Sequence, residues 1–184
     1  MDLLQKSLSF TSITNLLSRR RVLAGGVIAA TAGAAPWAQA QSVPPHLRFF
    51  NPAGIQKPAG YTHVVEALGP GRTIYIAGQL GYDATGKRAG EPGDFTAQAT
   101  QCFENLKTAL TAVGAGFEHV VKLNNYLTTI SQLPLFRDVR NKYITGTPPA
   151  STTIEIPKLA RPDALLEVEA IAVLAMNAPV VPLK

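Results

Sequence analysis

The chain has 184 residues and a formal net charge of +5, with 46% hydrophobic and 16% charged residues. Its single cysteine, Cys102, excludes an internal disulfide, and no CxxC or HExxH pair supplies a metal-ligand set. Lys6, Arg19, Arg20 and Arg21 against Asp2 give residues 1–40 a net +3, which leaves +2 on the other 144 residues and argues against a nucleic-acid footprint.

The first 40 residues read as an export signal. Arg19-Arg20-Arg21 precedes an uncharged stretch from Val22 to Trp37, and Ala38-Gln39-Ala40 follows as a small-residue cleavage site. Ser18-Arg19-Arg20-Arg21-Val22-Leu23 resembles the twin-arginine motif, so residues 1–40 are expected to be a cleaved leader and the mature protein periplasmic. The apolar stretch is too short to span a bilayer, which takes roughly 20 residues. No membrane association is expected after cleavage.

Residues 41–59 carry Pro44-Pro45, Pro52, Gly54 and Pro58 and read as a linker, with Phe49-Phe50 placed to pack down on the domain. The domain proper is expected over 60–176. Tyr61–Leu68 and Arg72–Ala77 have strand composition, and the short Gly69-Pro70-Gly71 connection predicts an antiparallel hairpin. Gly81–Gly93 is a loop. Asp94 is placed to cap a helix whose stripe is Phe95, Ala99, Cys102, Phe103, Leu106, Ala109, Leu110 and Val113, ended by Gly114. Cys102 lies on that stripe and reads as a small core residue.

His119–Thr129 is the next strand. Ser131 is expected to cap a second helix through Ile144, with Leu135, Phe136, Val139, Tyr143 and Ile144 facing inward and Pro134 tolerated in its first turn. Ser151–Ile156 and Leu166–Ala175 complete the strands, and 177–184 is a tail outside the sheet. The order β-β-α-β-α-β-β predicts an α+β domain, with two helices covering one face of a mixed sheet. The last strand is apolar on both faces, so its second face needs a cover, which self-association supplies.

Glu167 and Glu169 flank Val168 on that strand and therefore share a face with Ile171 and Val173. A carboxylate among branched aliphatics needs a partner or a task. Glu167 is taken as the functional group and Glu169 as a structural ion pair. His63 and His119 stand alone and read as surface or packing residues. Ser151 has no neighbouring base and no Gly-x-Ser-x-Gly context, which argues against a serine nucleophile.

Ala77-Gly78-Gln79-Leu80, the run Gln98–Leu106 with Asn105-Leu106-Lys107, Val120-Val121-Lys122 and above all Glu167-Val168-Glu169-Ala170-Ile171-Ala172 occur in the order and spacing of the Rid (RidA/YjgF-like) family. That family is also labelled endoribonuclease L-PSP, and the resemblance runs from about Gly60 to Val173. It implies a chorismate-mutase-like fold, a homotrimer with small-molecule pockets between subunits, and cofactor-free hydrolysis of reactive enamines and imines to a carbonyl compound and ammonia. It implies Glu167 as the water-positioning carboxylate, Tyr61 as a pocket tyrosine, and Gly78 as a backbone N–H donor to the ligand. Thr153 stands at a position whose backbone carbonyl holds the water. Ser151 is the departure, because the deaminase branch has its carboxylate-binding arginine there.

Replacing that charge-assisted fork by a hydroxyl weakens binding of a 2-imino acid by roughly tenfold to over a hundredfold. The substrate is then one not held by the usual arginine, or another cation such as Arg161 or Lys158 takes over. A non-catalytic metabolite-binding trimer is the alternative, and a ribonuclease is disfavoured by the near-neutral mature charge and the lack of a paired-His site.

Overall fold

The computed structural model describes residue 44 and residues 46–182. The expected leader (1–40) lies outside the described residues. Six strands and two helices follow one another as β1 (Leu47–Phe50), β2 (Val64–Ala67), β3 (Gly71–Leu80), α1 (Phe95–Ala112), β4 (Val120–Leu127), α2 (Leu133–Tyr143), β5 (Ala150–Glu155) and β6 (Leu166–Ala175). The main sheet runs β3-β6-β4-β5, antiparallel at its first two pairings and parallel between β4 and β5. The parallel step is possible because α2 lies in the connection between those strands. The expected mixed sheet with two helices is therefore the architecture of the chain.

Asp94 caps α1 as expected, its side chain accepting from the Ala97 amide at 2.9 Å. Phe95, Ala99, Cys102, Phe103, Leu106 and Leu110 are all buried against the sheet. They meet Leu123 and Leu127 of β4 and Leu166, Val168, Ala170 and Ala172 of β6 in one core. Phe103 lies at its centre, with ring centroids 5.9 Å from Phe136 and 5.2 Å from Tyr143. Alternation along β6 leaves Glu167, Glu169 and Ile171 half-buried on the opposite face. Tyr75, in register with Ile171 on that face, is 77% exposed.

Four expectations need correction. The segment read as linker contains β1, which pairs antiparallel with β2 from Leu47↔Ala67 to Phe50↔Val64. Four residues are too few for periodicity to stand out between prolines. The expected hairpin of the next two strands does not form, because β2 pairs with β1 and β3 pairs with β6. The Gly/Pro connection carries the chain from one sheet to the other. In α2, Ser131 lies in a 3-10 turn (Ile130–Gln132), Gln132 is the cap residue, and no side chain caps the helix. Finally, Leu135 is 45% exposed and Arg140 only 6%. Arg140 sits four residues after Phe136 and three before Tyr143, on the buried stripe itself.

Candidate functional site

Glu167 and Gly78 come together at the junction of β6 and β3. The pairing of the two strands shifts register between Ile76 and Gln79, and Gly78 sits in that irregularity. A Cβ on Gly78 would fall 1.7 Å from Glu167 Oε1 and 2.5 Å from its Cδ. The carboxylate therefore occupies the space a side chain would need, and any side chain at position 78 would displace it.

The bulged end of β3 is held from the helix side. Asn105 Nδ2 donates to the carbonyls of Leu80 (3.1 Å) and Tyr82 (2.8 Å), and Gln101 Nε2 donates to Asn105 Oδ1. Fully buried Gln98 donates to the Asp163 carbonyl and accepts from the Leu165 amide, which anchors the approach to β6. A cleft of about 740 Å³ opens at this end of β3, lined by Gly78, Leu80, Tyr82, Glu104, Asn105 and Arg161 among others.

The Glu167 charge is also felt inside the core. Burial pushes the Cys102 thiol well above its ordinary range, and the Glu167 carboxylate pushes it further. Cys102 is thus an inert core thiol, as its place on the stripe suggested. Among the described residues Glu169 forms no ion pair, where one was expected. It accepts instead from Asn124 Nδ2 (2.6 Å) and the Tyr126 hydroxyl (3.2 Å). Tyr126 is raised above the ordinary tyrosine range by burial first and by Glu169 second.

Ser151 and Thr153 lie on β5, across β4 from Glu167, and they face the other side of the sheet. Asn125 is in register with both Thr153 and buried Val168, which puts this row under the helices. Asn125 Nδ2 lies 2.9 Å from Ser151 Oγ, 3.0 Å from the Thr152 carbonyl and 3.1 Å from Thr153 Oγ1. Glu167 is in register with Tyr126 and Leu80, on the opposite face.

Tyr61 occupies a third place. Thr62, beside it, donates from its backbone to the Pro149 carbonyl and from its hydroxyl to the Pro148 carbonyl. These bonds tie the segment to the entry of β5 and leave Tyr61 in the wall of a separate cavity with Lys57, Gly60 and Thr147. One chain therefore brings Glu167 to Gly78 but does not gather Tyr61, Ser151 and Thr153 around them.

Of the two cations named as substitutes, Arg161 lines the same cleft as Gly78 and Lys158 does not. Arg161 stacks 4.2 Å over the Tyr82 ring and donates to the Gly86 carbonyl at 3.2 Å. Lys158 lines a depression with Thr128, Pro157 and Leu165. His63 and His119 are packing residues, as expected: the His63 ring meets the Gln56 carbonyl, and His119 Nδ1 accepts from the Gly116 amide.

Arg140 escaped the sequence reading. Its guanidinium reaches only Asn141 Oδ1, through Nε (3.2 Å) and Nη2 (2.8 Å), and makes no ion pair among the described residues. Burial, then the neighbouring charge of Arg137, holds its pKa below the ordinary arginine value.

Comparison with known proteins gives a consistent result. The family model described as Endoribonuclease L-PSP matches residues 54–174. A mouse 2-iminobutanoate/2-iminopropanoate deaminase is 32% identical over 126 residues, covering 65% of this chain and 92% of the relative. Protein DfrA of Myxococcus xanthus is 34% identical over 113 residues, covering 61% of this chain and 84% of the relative. Among solved structures, the Rid-family protein YyfB of Yersinia pestis superposes with a TM-score of 0.64 at 34% identity, covering 70% of this chain and 99% of that one. RidA of an Antarctic Psychrobacter gives 0.53 at 32% identity, covering 60% and 88%.

Proposed function

The chain belongs to the endoribonuclease L-PSP (Rid/YjgF) family, and from that premise we propose that it hydrolyses the C=N bond of small reactive imines or enamines, releasing a carbonyl compound and ammonia. The observation that carries the reading is the Glu167 carboxylate packed against the side-chain-free backbone of Gly78. Several relatives are named 2-iminobutanoate/2-iminopropanoate deaminases.

The chemistry needs little beyond this. Glu167 holds a water and takes one of its protons as the oxygen adds to the imine carbon. Glu167 passes that proton to the imine nitrogen, which gives a neutral tetrahedral adduct bearing a hydroxyl and an amino group. It then takes the hydroxyl proton as the C=O bond forms and delivers it to the amino nitrogen, so the C–N bond breaks, ammonia leaves and the carboxylate is regenerated. The Gly78 amide is assigned to the ligand as a fixed donor. No cofactor enters any step.

The scatter of Tyr61, Ser151 and Thr153 within one chain supports a site completed by another copy. The half-buried face of β6 and the exposed Tyr75 and Ile154 give that copy a surface to cover. We assign the assembly as a homotrimer with intersubunit pockets, and a monomer by light scattering at micromolar concentration refutes it. We assign the mature protein to the periplasm on the reading of residues 1–40 as a cleaved leader. A periplasmic N-terminus at Gln41 by mass spectrometry supports that assignment, and an intact Met1 in the cytoplasm refutes it.

Ser151 favours a second reading, a trimer that binds a metabolite without turning it over, because Ser151 Oγ is already engaged by Asn125. One assay separates the two. An amino-acid oxidase generates 2-imino acids in situ while semicarbazide traps whatever is not hydrolysed. Hydrolysis by wild type that Glu167→Ala abolishes establishes the enzyme. An inert wild type beside an active Ser151→Arg points to the binding protein or to a substrate without a carboxylate.

A further inference from the structure

The contact between Glu167 and Gly78 stands near the open end of its ladder. Beyond the register shift the pairing continues only through Gln79↔Val168 and Leu80↔Glu167, and β3 ends at Leu80. The end of a strand pair frays unless something beyond it holds the two chains together.

A small hairpin follows β3. Tyr82 and Arg88 form an antiparallel bridge, the Asp83 amide donates to the Lys87 carbonyl, and the Ala89 amide donates to that of Gly81. Both arms of this hairpin reach one residue of the loop that leads into β6. The Tyr82 hydroxyl donates to Asp163 Oδ1, and Arg88 Nη1 donates to Asp163 Oδ2 at 3.0 Å. Asp163 is fixed in turn from α1. Fully buried Gln98 donates to its carbonyl and accepts from the Leu165 amide, both at 3.0 Å. Gly81 is pressed against the same glutamine, since a Cβ there would fall 2.4 Å from Gln98 Cβ. The helix therefore sets the backbone of Asp163, and the Asp163 side chain holds the chain that leaves β3.

The two side-chain bonds differ in weight. The Arg88 pair is open to water, with 22% and 49% of the two side chains exposed, and such pairs contribute little to stability. Tyr82 is only 9% exposed and lies under the Arg161 guanidinium, so its ring has little freedom to move. Its hydroxyl bond is the first cause that holds the Asp163 carboxyl below the ordinary carboxylate range.

We propose that Asp163 is a positioning residue for the Glu167 carboxylate. By holding Tyr82 and Arg88 it ties the end of β3 to the start of β6, and so sets where the Gly78 amide stands against Glu167. It acts through the two strands and not on the substrate. The assignment rests on the imine-hydrolysis reading for the rate it changes, and not for the geometry it fixes.

The test combines the oxidase and semicarbazide assay on the purified full-length chain with NMR of the Gly78 amide. That amide adjoins the carboxylate and reports its place with or without turnover. Asp163→Ala should lower kcat by about tenfold to a hundredfold, with KM within about threefold of wild type, because a reacting group has been misplaced while binding is kept. Tyr82→Phe removes only a hydroxyl and should lower kcat by less. Asp163→Asn keeps an oxygen for that hydroxyl and should recover most of the loss. Tyr82→Phe combined with Asp163→Ala should be no slower than Asp163→Ala alone, because both cut the same tie. The Gly78 signal should shift in Asp163→Ala and Tyr82→Phe and return toward wild type in Asp163→Asn. Glu91→Gln, an exposed charge in the same loop, should change neither readout.

A wild-type kcat in Asp163→Ala overturns the proposal. So does an unmoved Gly78 signal, or a loss that Asp163→Asn shares in full. A loss carried by KM alone also overturns it, since that marks a contact with substrate. If Asp163→Ala does not fold, Tyr82→Phe carries the test, and a wild-type kcat and Gly78 signal in that variant sink the idea. Wild type that hydrolyses no imine removes the deaminase reading, and the Gly78 signal then decides the positioning role by itself.

Discussion

Gly78→Ala isolates the site from the fold. The new methyl would sit 1.7 Å from Glu167 Oε1, whereas ordinary contact begins at 3.4 Å, so the carboxylate oxygen must retreat by about 1.7 Å. The clash is with the end of a flexible side chain, and a rotation about the Glu167 side-chain bonds relieves it. Stability should therefore change by no more than about 1 kcal/mol. Catalysis is less forgiving, because misplacing a reacting group by an ångström costs about a hundredfold, or about 2.7 kcal/mol of barrier. In the oxidase and semicarbazide assay, Gly78→Ala should lose about two orders of magnitude in kcat/KM while melting within a few degrees of wild type. Full activity in Gly78→Ala refutes the placement of Glu167 as the water-holding group. A collapse of the melting temperature refutes the claim that the contact serves the site and not the fold.

Phe103→Ala removes the central aromatic of the core and should destabilise the protein by about 3–5 kcal/mol in urea titration, and a loss below 1 kcal/mol would show that the stacked rings around it are not cooperative. Cys102, fully buried and with its thiol pushed up by burial and then by Glu167, should react with a thiol reagent at pH 8 only at the rate of global unfolding. Labelling within seconds in native buffer contradicts this. Burial, then the bond to Glu104, pushes Tyr143 up from 10.0 to about 12. A raised folded-state pKa means stability that is complete below the unfolded value and lost as the hydroxyl ionises in the fold. Stability should accordingly fall between pH 10 and about 12. Tyr143→Phe should flatten that slope, and an unchanged slope rejects the assignment.

The helical core was legible because its signals are local. Asp94 caps α1 and Gly114 follows it, and the three- and four-residue recurrence from Phe95 to Leu110 names the buried stripe. Alternation on β6 separates Glu167 and Glu169 from Leu166, Val168 and Ala170. The place of Glu167 on a second, unhelical face was thus fixed by a two-residue period before any partner was known. Arg140 was legible too, since it falls on the stripe of α2 between Phe136 and Tyr143. Reading helices for apolar residues alone passes over a buried cation.

The strand partners were not legible, because pairing is a choice between segments far apart in the chain. Val64–Ala67 suits either neighbour, and β1 takes it because the corner at Gly69-Pro70-Gly71 delivers β3 to β6 instead. The same long-range choice sets the site. Ser151 and Thr153 precede Glu167 by 16 and 14 residues, yet β4 lies between their strands and Asn125 draws the first two to the helix side. Sequence determined which residues carry charge and which face each one takes along its own element, because those follow from the backbone period. Tertiary structure alone decided that Gly78 yields its space to Glu167 and that Gly60 yields its space to Arg140, because a missing side chain has meaning only once the neighbour that fills its place is known.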